Sequence, residues 1–212
     1  MGQHVGRKVT AIISGMDQPL GMYIGNSLEV MEAMEVLKGN VKGDLLEVSL
    51  LLGAHMLLLA GRVQTEAEGK ALLQQQIDNG AGIAKFRELL IQQGGNPAII
   101  EQPDLLPLSP CSLEVRAEKS GYLTHMDTAK IGRASQETGA GRAFKEQPLD
   151  FGAGIITKKR LGDYVEAGEV LAVIYSAKDE ACASAAEIFQ SALTISAEKA
   201  PLPPLVLNII SA

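Results

Sequence analysis

Cysteine is scarce in this chain: its 212 residues hold only Cys111 and Cys182, far apart and in different kinds of segment. Two isolated thiols argue against a disulfide scaffold and against a cysteine metal site. Basic residues are outnumbered, 19 Lys and Arg against 25 Asp and Glu, and a formal net charge of −6 argues against a general nucleic-acid surface. Long hydrophobic runs are missing too. The longest, Leu50 to Ala60, is broken by Gly53 and His55 and is too short to span a bilayer. The opening residues, Met1 to Lys8, lack the apolar core and cleavage site of a signal peptide. These absences point to a reduced, cytoplasmic protein with neither nucleic acid nor membrane as a partner. His4, His55 and His125 form no pair at metal spacing, and His55 reads as a hydrogen-bonded core residue on an apolar helix. Internal repeats, low-complexity tracts and a glycine-rich strand–loop–helix phosphate cradle are all absent.

What is present is a hydrophobic fraction of 46%, enough for a sizeable core, and a chain with clear punctuation. Val9 to Ile13 is a short apolar, β-branched run, the composition of a buried strand. Asp17-Gln18-Pro19-Leu20-Gly21 breaks the chain, because Pro19 fixes its own φ and Gly21 can take a positive one. Asn26 followed by Glu29 reads as a capping box, and Gly39 closes the helix. A loop of this kind can turn backbone carbonyls inward while the next helix adds a carboxylate. It is an oxygen-lined cation site or a tight turn, and local chemistry allows both.

Helices are expected over 27–38, from Asp44 to Gly61, from Thr65 to Asn79-Gly80, and from about Ala81 to Gln93. The second is expected to turn Leu45, Val48, Leu52, Met56 and Leu59 inward. Short connections make consecutive helices antiparallel neighbours. Pro97, Pro103, Pro107 and Pro110 mark a composition shift, with a short helix after Asn96 and an extended connector over 104–110. From Cys111 the pattern alternates, Leu113, Val115 and Ala117 against Ser112, Glu114 and Arg116. Further strands are expected at 121–126, 153–158 and 170–175, helices at Thr128 to about Gln136 and Asp179 to about Ala197, and an extended tail over 201–210.

Several short words, in one order, resemble the pyrimidine-nucleoside phosphorylase and thymidine phosphorylase family. They are Met16-Asp17-Gln18-Pro19-Leu20-Gly21, Gly25-Asn26-Ser27-Leu28-Glu29-Val30 with Glu32-Ala33, and Asp78-Asn79-Gly80. Leu105-Leu106-Pro107, Gly121-Tyr122-Leu123 with Met126-Asp127, Gly139-Ala140-Gly141-Arg142 and Lys159-Arg160-Leu161-Gly162-Asp163-Tyr164-Val165 follow. The resemblance runs from about Gly6 to Ser211 and covers the C-terminal half of the family. It implies an α+β fold in which 1–25 are the strand and hinge loop of a truncated α/β domain and 26–95 a helical subdomain. Residues 96–110 are then a Pro-rich linker, and 111–212 a C-terminal α/β hammerhead domain of biotinyl/lipoyl-like β type. The hairpin tip at Ala167-Gly168 has no lysine, unlike a carrier domain.

The resemblance also implies a potassium ion held by the backbone carbonyls of Leu20 and Tyr23 and the carboxylate of Glu32. A weakly hydrated monovalent ion suits carbonyls plus one anion; the bland reading of Glu32 is a solvated helix charge. Gly139, Gly141 and Arg142 are a substrate-proximal lid by the resemblance, and an exposed loop with one solvated arginine otherwise. Asp17 reads as a turn residue, and Lys158-Lys159-Arg160 as a solvated turn. Full-length members are implied to act as homodimers that split a pyrimidine nucleoside with phosphate. Their phosphate- and base-gripping motifs have no counterpart here, so no catalytic residue is expected and the chain alone is expected to be inactive. A stand-alone binding module, or one half of a split enzyme, is the alternative.

Overall fold

A computed structural model describes His4 and residues 6–211. Residues 1–3 and 5, part of the segment read as lacking a signal peptide, and residue 212 lie outside the described residues. In chain order the elements are β1 (Thr10–Ser14), β2 (Tyr23–Ile24), α1 (Asn26–Leu37), α2 (Asp44–Leu59), α3 (Glu66–Asp78) and α4 (Ala81–Gln92). They continue with β3 (Cys111–Arg116), β4 (Gly121–Met126), α5 (Thr128–Glu137), β5 (Gly154–Thr157), β6 (Tyr164–Val165), β7 (Val170–Ser176), α6 (Asp179–Ser191), β8 (Leu193–Ser196) and β9 (Val206–Ser211). This is an α+β chain with antiparallel sheets.

The chain divides into two compact units, one of 1–15, 33–97 and 204–212, the other of 16–32 and 98–203. The loop at 16–32 groups with the later residues, and the last strand groups with the first ones.

In the first unit, helix ends follow local chemistry. Gly39 takes φ +79° and its amide reaches the Val36 carbonyl while Asn40 N–H reaches Glu35, the paired bonds that satisfy orphan carbonyls at a helix end. Thr65 Oγ1 accepts from Glu68 N–H at 3.2 Å, as the capping pattern requires. Helix α2 starts where expected, but after Gly43, with no side-chain cap.

Helix α2 buries Val48 as expected and leaves Leu45 half-buried, but the rest of the buried face differs from the expected one. Val48, Leu51 and Ala54 are buried, whereas Leu52, Met56 and Leu59 are exposed. The helix is apolar nearly all round, so its periodicity cannot select a face. Close approach selects it: a Cβ added to Gly69 on α3 would lie 2.8 Å from Cα and Cβ of Ala54.

The expected terminal tail forms strand β9, antiparallel to β1 with Ile12 opposite Ile209. They make a two-stranded sheet. With one partner strand, β1 is only half covered, and Ile13 remains 42% exposed instead of buried.

In the second unit, one sheet has the order β2-β5-β7-β3 and the other β6-β4-β8. Helices α5 and α6 pack together, and α6 also lies against β3 and β7. Their shared core holds Phe189, Leu123, Ile155, Val165, Ile174 and Ala185. Full burial of Phe189 alone contributes roughly 1.5–3 kcal/mol. Residues 192–196, expected as the end of a helix, instead leave α6 at Ala192 and pair with β4 as β8. Thr194 and Ile195 are β-branched and find a strand edge there. Pro103–Leu105 forms a single 3-10 turn within the expected extended connector. Among the described residues, no helix is long and apolar enough to cross a membrane.

Candidate functional site

The loop between β1 and α1 is organised around one buried carboxylate. Glu32 is 5% exposed, and its Oε1 accepts from Met22 N–H at 2.7 Å while Oε2 accepts from Tyr23 N–H at 3.3 Å. Such closeness requires glycine at position 21, where a Cβ would sit 2.1 Å from Oε2. Burial of a carboxylate is costly without partners, and the partners recorded for its oxygens are backbone amides.

Glu29, one turn earlier, serves the helix start instead. It reaches back to Gly25 N–H at 3.2 Å, and Glu29 N–H bonds the Gly25 carbonyl at 2.8 Å. Gly25 therefore caps this helix, not Asn26, whose side-chain amide donates to the Ala140 carbonyl at 3.0 Å. Gly25 and Gly154 also let the backbones meet, since a Cβ on Gly154 would lie 2.2 Å from the Ile24 carbonyl oxygen.

The loop is clasped from the far end of the sequence. Thr157 N–H and its hydroxyl both donate to the Met22 carbonyl, at 2.8 and 2.9 Å. Leu161 N–H donates to Gln18 Oε1 at 3.0 Å. Arg160 places Nη2 3.1 Å from the Pro19 carbonyl and Nη1 3.3 Å from the Leu20 carbonyl. Within the basic triplet Lys158 is exposed as expected, but Arg160 is half-buried on the loop, and Lys159 pairs with Glu169. Nothing local signals this, because Arg160 and Leu20 stand 140 residues apart.

Of the residues implied as cation ligands, Glu32 accepts from the Tyr23 N–H, and the Leu20 carbonyl accepts from Arg160 Nη1. A buried carboxylate beside a loop of backbone carbonyls is the donor chemistry that could hold a weakly hydrated monovalent cation.

The 139–142 loop is anchored rather than hanging free. Gly139 has φ +100°, its carbonyl accepts from Asp150 N–H at 3.0 Å, and Gln136 Nε2 donates to the Arg142 carbonyl. Arg142 is exposed, and with Asn26, Glu29, Arg133 and Gln136 it borders a cavity of about 410 Å³. Gly141 lines the same cavity. The amides at the start of α1 are already used there, Gly25 by Glu29 and Ser27 by the Phe151 carbonyl.

Elsewhere, His55 is half-buried with Nε2 3.3 Å from Glu66. Both thiols sit above their ordinary pKa, Cys111 chiefly through its hydrogen bond with Asp179 and Cys182 chiefly through burial.

Residues 122–196, containing the clasp, match the family described as pyrimidine nucleoside phosphorylase C-terminal domain. Residues 2–83, containing the loop and Glu32, match the glycosyl transferase family, a/b domain. The chain belongs to the pyrimidine-nucleoside phosphorylase family, as its C-terminal half. It is 42% identical over 211 residues to the pyrimidine-nucleoside phosphorylase of Staphylococcus aureus strain bovine RF122 / ET3-1, which covers 100% of this chain and 48% of that protein. To those of strains USA300 and MSSA476 it is 41% identical, over 211 and 210 residues, covering 100% and 99% of this chain and 48% of each relative. The chain spans about half the length of the curated relatives it matches. In this family frame, the loop and the clasp come from the two separately matched regions.

Proposed function

We propose that this chain is the C-terminal portion of a pyrimidine-nucleoside phosphorylase, whose whole-protein reaction converts a pyrimidine nucleoside and phosphate to free base and pentose 1-phosphate. The observation that carries this reading is identity of 42% sustained over the entire chain. The 111–212 region is then an α/β hammerhead, a reading supported by its glycine-punctuated antiparallel strands. Pairing as a homodimer belongs to the same reading.

Within it, Leu20, Tyr23 and Glu32 are potassium ligands. The support is the buried carboxylate drawn against a glycine-opened loop. Potassium, when bound, supplies charge that neutralises Glu32 and fixes the loop carbonyls. The chain's own residues orient that loop through Thr157, Gln18 and Arg160. Gly139, Gly141 and Arg142 border substrate in the whole protein, a role supported for Gly141 and Arg142 by the cavity they line and by the exposed guanidinium.

The chain alone is inactive on this reading, because its recognised words include no phosphate cradle or base-binding set. Thymidine or uridine with inorganic phosphate, followed by chromatographic measurement of thymine or uracil, tests it. No base release is expected from this chain, and phosphate-dependent release would overturn the claim of inactivity.

A further inference from the structure

We infer that Arg160 is a tethered competitor of the monovalent cation at the Leu20 carbonyl, and that it keeps the site's cation affinity low. This rests on reading Leu20, Tyr23 and Glu32 as that cation's ligands. Its basis is one shared oxygen: the Leu20 carbonyl is both a proposed ligand and the acceptor of Arg160 Nη1 at 3.3 Å. The neighbouring Pro19 carbonyl takes Nη2 at 3.1 Å, so the guanidinium charge lies along the loop itself. Two cations sharing one carbonyl repel, and half-burial reduces the solvent screening that would otherwise weaken the effect.

Arg160 also anchors the loop, which would favour the cation. Charge outweighs anchoring because the loop keeps its other tethers without Arg160. Met22 O still accepts from Thr157 twice, Gln18 still accepts from Leu161 N–H, and Glu32 still holds the amides of Met22 and Tyr23. Pro19 restricts the backbone in addition.

The test follows the thermal unfolding midpoint of the intact chain as KCl replaces choline chloride at constant ionic strength. Arg160→Gln removes the charge, Arg160→Lys retains it, and Arg160→Met repeats the removal should the Gln variant not fold. The half-saturating potassium concentration is expected to fall about tenfold in Arg160→Gln and to stay within about twofold in Arg160→Lys. An unchanged or higher value in Arg160→Gln overturns the inference, as does an equal gain in Arg160→Lys. Glu32→Gln is expected to abolish the potassium response; its persistence overturns the ligand reading regardless of Arg160. Absence of any potassium-specific response in both the unsubstituted chain and Arg160→Gln overturns the two together.

Discussion

Gly21 and Glu32 are in such close approach that a Cβ on the glycine would fall 2.1 Å from Oε2 of the carboxylate. The loop conformation and the helix position are therefore coupled through a missing side chain. Gly21→Ala should push Glu32 away from the amides of Met22 and Tyr23 and leave a buried carboxylate poorly partnered. A loss of about 1–3 kcal/mol is expected, read as a lowered urea midpoint with an unchanged slope.

The two faces of α2 should respond oppositely. Leu51 is 3% exposed, so Leu51→Ala should cost about 2–5 kcal/mol. Met56 is 70% exposed, and Met56→Gln should stay within about 0.5 kcal/mol. A larger cost in urea unfolding for Met56→Gln than for Leu51→Ala would mean that α2 packs by the face expected from sequence.

Acid should weaken the end of α1. Asn40 first, and Lys38 second, hold the Glu35 carboxyl below its ordinary value of 4.5. A carboxylate with a lowered folded pKa stabilises above its unfolded pKa, and that contribution is lost as pH falls through the folded one. Stability measured from pH 7 down to 3 should therefore drop below about pH 4.5, less steeply in Asn40→Ala. A variant curve parallel to the parent's would remove this explanation. Glu35 is 38% exposed, which keeps the effect small.

Thiol chemistry should be slow in the folded chain. The raised thiols of Cys111 and Cys182 hold little thiolate at pH 8, and Cys182 is also buried. Iodoacetamide should modify both far faster in urea than in buffer. A rapid native reaction at Cys111 would contradict its pairing with Asp179.

The helix and strand positions were largely legible in the chain because each rests on nearest-neighbour chemistry. Thr65 with Glu68 and the positive φ of Gly39 act within a few residues. The same locality explains the misreadings. Asn26 has the right chemistry for a cap, yet Ala140, 114 residues away, takes its amide. Residues 193–196 follow a helix with compatible composition, and only strand β4 makes them a strand.

Of the candidate site, Glu32 was legible only through the resemblance, since Glu29 one turn earlier lies on the same side of the helix and local pattern does not choose between the two. Arg160, Thr157 and Leu161 were not recognisable. Their partners lie on the loop at 18–22, and no periodicity or spacing records a contact across such a separation.

Family membership, α+β character and the punctuation of the helices were thus already present in the order of residues, since motif words and caps are short-range. Which side of α2 is buried, where residues 206–211 pair, and which guanidinium rests on the Leu20 carbonyl were settled by folding. Those outcomes depend on close packing and on pairing of distant polar groups, and both free energies arise only once remote segments share the same space.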